Sequence, residues 1–123
     1  MIIGIGTDII EINRIKKAID KTPNFISRIF TEKEINMFMM KGMRAETIAG
    51  NFAAKEAVSK AMGTGVRGFT LKDLEILRDD LGKPVVHINE KVKAIINKAN
   101  ININVSISHN KTSAIALVVL EEK

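Results

Sequence analysis

Arg44-Ala-Glu-Thr-Ile-Ala-Gly-Asn-Phe-Ala-Ala-Lys-Glu-Ala-Val-Ser-Lys-Ala-Met62 is the longest helical signal in the chain. Ala49, Ala53, Ala57 and Ala61 recur every fourth residue and so share one face of a helix. A stripe with so little side-chain bulk lets a neighbour approach the helix backbone closely. Ile48, Phe52 and Ser59 or Met62 flank it. Gly63 is placed to end the helix in a left-handed turn, and Gly63-Thr-Gly65 with Gly68 continues as a loop.

Working outward, Met1 to Ile10 is rich in Ile, contains Gly4 and Gly6, and reads as a buried strand. Glycine inside a strand marks a bulge or a close approach by another backbone. Glu11 to Lys21 reads as a helix with Ile12, Ile15 and Ile19 on one face, broken at Thr22-Pro-Asn24. Phe25 to Phe30 is a short helical turn. Thr31-Glu-Lys-Glu34 is a capping box that opens a helix through about Met40, ended by Lys41-Gly42. On the other side, Phe69 to Leu77 passes from turn to strand, and Asp79-Asp-Leu-Gly82 turns it into Lys83 to Ile88, with Pro84 at its start or edge. Asn89 caps a helix predicted through Ala99. Ile101, Ile103, Val105 and Ile107 then alternate with Asn102, Asn104, Ser106 and Ser108, the cleanest period-two pattern present, and Ser113 to Leu120 is a last strand. The order predicts an α+β fold, a largely antiparallel sheet packed against a long helix, in a single domain spanning 1–123.

The 123 residues carry 19 Lys+Arg against 14 Asp+Glu, a net charge of +5, with 46% hydrophobic residues, the balance of a folded globular chain. The absence of cysteine excludes disulfides, thiolate metal sites and a cysteine nucleophile. The absence of Tyr and Trp weakens base-stacking recognition of single strands. Asp8 interrupts the only apolar N-terminal run, which has no Lys or Arg before it, and no run approaches the ~18 residues of a membrane span. A cytoplasmic protein with an acidic partner is the expectation, with no membrane.

Chemistry must then come from carboxylates, Lys/Arg, two His and hydroxyls. Asp8 lies in an apolar strand and either faces a site or caps the helix from Glu11 with help from Thr7; spacing alone leans to the cap. Glu56 and Lys60 are spaced i, i+4 on the long helix, which by itself reads as an exposed ion pair. Yet their face borders the alanine stripe. The loop at Gly63 follows a helix rather than preceding one, so the dipole there opposes an anion unless Lys60 and Arg67 compensate, and a plain C-terminal turn fits the pattern. Ser106-Ile-Ser-His109 ends the alternating strand without a nucleophile elbow. Between Ile12 and Arg28 there are five cations (Arg14, Lys16, Lys17, Lys21, Arg28) and one acid, Asp20; such a face is ordinarily just solvated, but it holds most of the chain's excess charge and is where an acidic partner would dock.

These motifs occur together in a specific order. Gly4-Ile-Gly-Thr-Asp-Ile-Ile-Glu-Ile12 with Arg14-Ile15, Arg28-Ile-Phe-Thr-Glu-Lys-Glu34, Phe52-Ala-Ala-Lys-Glu-Ala-Val-Ser-Lys-Ala-Met-Gly-Thr-Gly65, Gly82-Lys-Pro84 and Val105-Ser-Ile-Ser-His109 resemble the five blocks of the holo-[acyl-carrier-protein] synthase family. The resemblance covers nearly the whole chain. It implies transfer of the 4′-phosphopantetheine arm of coenzyme A to a serine of apo acyl carrier protein, with release of adenosine 3′,5′-bisphosphate, in support of fatty acid biosynthesis. It implies that Asp8 and Glu56 hold Mg2+ and that Lys60 stands beside the pyrophosphate as a catalytic cation. By the same resemblance Gly63, Thr64, Gly65, Lys83, Ser106, Ser108 and His109 contact coenzyme A, with His109 near its 3′-phosphate. Arg14, Phe25 and Arg28 resemble the carrier-protein surface, and a homotrimer with interfacial active sites is implied. The base that takes the serine proton is left open between a water relayed by Glu56 and one relayed by Asp8. One position departs from the family: the residue before Phe52 is often basic, and here it is Asn51, so that contact is missing or comes from Arg44 or Lys41. The competing expectations are a basic nucleic-acid-binding module, which leaves Asp8, Glu56 and the Ser-Ile-Ser-His strand idle, and a coenzyme A or nucleotide hydrolase using the same metal site.

Overall fold

The computed structural model describes residues 1–123. In chain order it contains β1 (Ile2–Glu11), α1 (Ile12–Lys21), α2 (Phe25–Ile29), α3 (Glu32–Met40), α4 (Ala45–Ala61), a 3-10 turn (Leu71–Asp73), β2 (Leu74–Arg78), β3 (Pro84–Ile88), α5 (Glu90–Ile96), β4 (Ile101–His109) and β5 (Ser113–Glu122). Both sheets are antiparallel. One has the order β1-β5-β4, and the other is the β2–β3 hairpin. The expected α+β class is therefore observed, with the strands divided between two sheets. One element is shorter than the sequence predicts. Helix α5 stops at Ile96 because Asn97 takes a left-handed conformation (φ 53°), and Ala99 lies beyond it.

Helix α4 is the centre of the molecule. Eleven of its 17 residues are buried, too many for a surface helix with one apolar stripe. It divides the core in two. On one side Ala53, Ala54, Ala57, Val58 and Ala61 pack with Leu74, Ile76, Val92, Ala116, Val118 and Leu120. On the other, Ile48 and Ala49 pack with Ile12, Ile15, Phe30, Phe38 and Ala114. Strand β1 crosses α4 at its small-residue end. A methyl group built on Gly6 would overlap the carbonyl oxygen of Ala57, and one on Gly4 would overlap that of Ala61. The glycines and the alanine stripe are thus two halves of one contact.

The two halves of the core are tied by a buried polar network. Thr31 caps α3 in the predicted box, its hydroxyl accepting from the Glu34 backbone N–H at 3.2 Å while Glu34 Oε1 accepts from the Thr31 N–H at 2.9 Å. Glu34 is fully buried, however, and does more than cap. Its Oε1 lies 2.6 Å from the equally buried Lys55 Nζ, and its Oε2 accepts from the Ile76 N–H at 3.0 Å and from the Asn51 amide at 3.2 Å. Lys55 also donates to the carbonyls of Ile29, Leu71 and Leu74 at 2.7–2.9 Å. Burial pulls the Lys55 ammonium below the ordinary lysine range, and the Glu34 charge and hydrogen bond oppose that pull. No buried side-chain nitrogen or oxygen lacks a partner.

Two stability effects follow. Gly6→Ala should lower the unfolding free energy by about 3 kcal/mol, because the methyl meets backbone on a rigid helix rather than a movable side chain. Lys55→Met should cost ~3–5 kcal/mol by leaving Glu34 charged and buried alone. Urea unfolding curves would measure both, and a loss below 1 kcal/mol in either would contradict the packing described.

Candidate active site

Register places the first acid. Along β1 the inner row, facing α4, contains Gly4, Gly6 and Asp8, with Asp8 opposite Ala116 of β5 and Ala116 opposite Ile107 of β4. Asp8 therefore emerges beside α4, mid-strand, and does not cap α1, whose N-cap residue Glu11 makes no side-chain cap bond either. From α4, Glu56 and Lys60 stand next to Ala57 and Ala61, the residues that touch Gly6 and Gly4. Lys60 Nζ donates to Asp8 Oδ1 at 3.1 Å and to the Thr7 carbonyl at 2.9 Å. The lysine thus bridges strand and helix, and the i, i+4 pairing suggested by spacing is replaced by a cross-element one.

Burial pushes the Glu56 carboxyl above its ordinary range, the Asp8 charge pushes it further, and Lys60 offsets part of the shift. A carboxyl whose ionisation is opposed by burial and by a neighbouring acid is one that a divalent cation relieves. Two carboxylates are also the usual protein share of a Mg2+ site that leaves positions for phosphate and water. No third His, Cys, Asp or Glu joins them. The residues present fit that ion.

The glycine loop leaves α4 immediately after Lys60. Gly63 and Gly65 adopt φ of 80° and 61°, and Thr64 donates to the Gly65 carbonyl at 2.8 Å. The strand residues lie elsewhere. Ser106 and Ser108 pair across to Leu117 and Ile115, which pair on to Thr7 and Ile9. They occupy the outer face of the sheet, away from Asp8. Ile5, Ile9, Ile115 and Leu117 are 60%, 67%, 44% and 43% exposed, making this outer face apolar and uncovered.

His109 lines a cavity of about 210 Å3 closed by the start of α4 and by the hairpin residues Gly82 and Pro84 that flank Lys83. The Asp79 carboxylate pins that hairpin by accepting from the Leu81 and Lys83 N–H groups, both at 2.9 Å. Phe25 lines a separate cavity of about 460 Å3 with Ile19, Ile26, Ile35 and Met43, and stacks on Phe52 at 6.3 Å between ring centroids. Arg14 and Arg28 are exposed nearby on α1 and α2. One chain thus gathers Asp8, Glu56, Lys60 and the glycine loop, and leaves Ser106, Ser108 and His109 apart from them.

One group escaped the sequence reading. Arg78 lines the His109 cavity beside Lys41, and it donates to Asn51 Oδ1 at 2.8 Å. It has no local pattern, because the hairpin brings Arg78 to α4 across 27 residues.

The family model for the 4′-phosphopantetheinyl transferase superfamily matches residues 4–118. A holo-[acyl-carrier-protein] synthase from Clostridium botulinum is 60% identical over 121 residues, covering 98% of each chain. A crystal structure of a holo-(acyl-carrier-protein) synthase from Bacillus anthracis in complex with CoA (3′,5′-ADP) superposes with a TM-score of 0.82 at 44% identity, over 100% of this chain and 99% of that one. The Helicobacter pylori synthase in complex with coenzyme A gives 0.83 at 32% identity, over 95% of this chain and 99% of that one. Fold, length and sequence agree along the whole chain, which belongs to the holo-[acyl-carrier-protein] synthase family of 4′-phosphopantetheinyl transferases.

Proposed function

We propose that the chain transfers the 4′-phosphopantetheine arm of coenzyme A to a serine of apo acyl carrier protein, with Mg2+, and so equips carrier protein for fatty acid biosynthesis. The observation that carries the reading is the junction of Asp8, Glu56 and Lys60 where β1 crosses α4. The names of the relatives and the coenzyme A bound in two of them support the substrate pair. No helix is long and apolar enough to cross a membrane.

The serine hydroxyl gives up its proton to a water relayed by Glu56 or Asp8, its oxygen forms a bond to the phosphorus that carries pantetheine, the pyrophosphate P–O bond breaks, and adenosine 3′,5′-bisphosphate leaves with the electron pair. Asp8 and Glu56 would hold Mg2+, which supplies Lewis-acid neutralisation of the pyrophosphate. Lys60 adds a second cation at the same place. Its tether to the Thr7 carbonyl and Asp8 fixes the ammonium before substrate arrives, so little reorganisation is needed as charge develops on the leaving group. The loop from Gly63 to Gly65 lies next to Lys60 and offers backbone groups along the coenzyme. Phe25 lines the cavity at α2, and the exposed Arg14 and Arg28 add cations on the same two helices, a surface suited to an acidic carrier protein.

A homotrimer completes this reading. Ser106 and Ser108 share the outer sheet face with Ile9, Ile115 and Leu117. Covering that face with a second copy would bury apolar surface worth ~25 cal/mol per Å2 and put the two serines of one chain beside the Asp8 site of another.

Mixing the protein with coenzyme A and apo carrier protein should add one phosphopantetheine mass to the carrier, and chelation of Mg2+ should stop it. An Asp8→Ala, Glu56→Ala double variant should lose at least a hundredfold in rate; normal transfer would sink the site, and free phosphopantetheine formed without acceptor would make the enzyme a hydrolase. Leu117→Glu should shift light-scattering mass from trimer to monomer and abolish transfer with it. A fully active monomer would refute the shared site.

A further inference from the structure

Helix α3 and the end of β2 enclose a groove of about 560 Å3 to which the transfer reaction gives no role. Its floor is apolar. Met37 and Met40 line it from α3, and Leu77 lines it from β2, turned away from the buried Ile76 before it. Met40 is 88% exposed, so a large apolar side chain stands in water with nothing packed over it. The rim is cationic. Lys33, Lys41 and Arg78 line the groove, and no acid does. None of the three forms an ion pair within the chain. Lys33 and Lys41 stand about 12 Å apart along the helix axis at ~1.5 Å per residue, with both methionines between them.

That combination selects the occupant. A single exposed methionine needs no explanation, but an apolar floor ringed by charges of one sign is a recognition surface. The rim calls for an anion, and the floor calls for an apolar chain attached to it. Only 7 residues line the groove, far fewer than the roughly 20–30 a side of a stable protein interface. Its volume instead falls in the roughly 300–1,000 Å3 range of small-molecule sites. Methionine is unbranched and polarisable, so this floor adapts to the chain laid on it. A single-chain amphiphile with a carboxylate head meets all of these demands. Lys41 and Arg78 also line the His109 cavity, so one pair of cations borders two compartments.

We propose that this groove binds a free fatty acid, its carboxylate toward Lys41 and Arg78 and its chain on Met37, Met40 and Leu77, and that occupation weakens coenzyme A binding in the adjoining cavity. The second half rests on the transferase reading, under which an end product of the synthesis restrains the enzyme that equips its carrier. The six methionines make the test direct. In NMR spectra of protein labelled at the methionine methyl groups, sodium dodecanoate should shift Met37 and Met40 saturably and leave Met1 and Met62 in place. Dodecyltrimethylammonium, with the same chain and the opposite charge, should shift neither. Met40→Glu, at a position exposed enough to spare the fold, should weaken dodecanoate about tenfold and leave coenzyme A affinity unchanged. By titration calorimetry, saturating dodecanoate should weaken coenzyme A about tenfold in the wild-type protein and not in Met40→Glu. Equal shifts from both amphiphiles, shifts spread over all the methionines, or an unaltered dodecanoate affinity in Met40→Glu would overturn the proposal. So would an unchanged coenzyme A affinity with the groove filled. Cosedimentation with phosphatidylglycerol vesicles by a protein that ignores dodecanoate would overturn it too, and make the groove a membrane contact. A protein that shows the Met37 and Met40 shifts yet binds no coenzyme A would instead defeat the transferase reading and leave the fatty acid site standing.

Discussion

The contact between the bare edge of β1 and the alanine stripe of α4 governs the rest of the molecule. Gly4 and Gly6 present backbone alone to Ala61 and Ala57, and the carbonyl oxygens of the helix occupy the space their side chains would need. That closeness brings a strand carboxylate and a helical carboxylate to one place, with the Lys60 ammonium reaching from the helix to Asp8 and the Thr7 carbonyl of the strand. A strand with ordinary side chains would stand further off, and Lys60 could not reach Thr7 and Asp8 together. The geometry of the candidate site follows from the small side chains of both partners.

The second constraint is the network around Glu34. A capping residue of α3 is here the hub that joins α3, α4 and the β2–β3 hairpin through Lys55, Asn51 and the Ile76 N–H. Fully satisfied buried polar groups fix relative positions more sharply than apolar packing, because each displaced donor or acceptor costs its own desolvation. The hairpin is a separate two-stranded sheet, and isolated hairpins are marginal. The network gives it a fixed seat on α4, and with it a fixed place for Arg78.

Much of this was legible in the sequence where a pattern is local. The alanine period, the capping box at Thr31, the glycine stop at Gly63 and the alternation from Ile101 to Ser108 each report a neighbour a few residues away, and all appear as expected. Asp8, Glu56 and Lys60 were identified by resemblance, whereas spacing alone would have made Asp8 a cap and Glu56–Lys60 a surface pair. The structure joins Lys60 to Asp8 instead, across 52 residues. Lys55 gave no hint of burial, since a lysine on a helix ordinarily faces water. Asn51 looked like the loss of a cation. It is the bracket for a cation delivered from another element, and such an exchange can be seen only once the hairpin is folded onto the helix.

The same two glycines also act as a gauge for alignment. Side chains alternate along a strand, so a shift of β1 by one residue against β5 would turn Ile5 and Thr7 toward α4, where no side chain fits, and would carry Asp8 to the outer face. An incorrectly paired strand is thus refused by steric overlap before its apolar residues can find an alternative seat. What looks like missing bulk in the sequence is a proofreading element, and it guarantees that any chain folded well enough to close its core has its strand acid on the side where the helix acid waits.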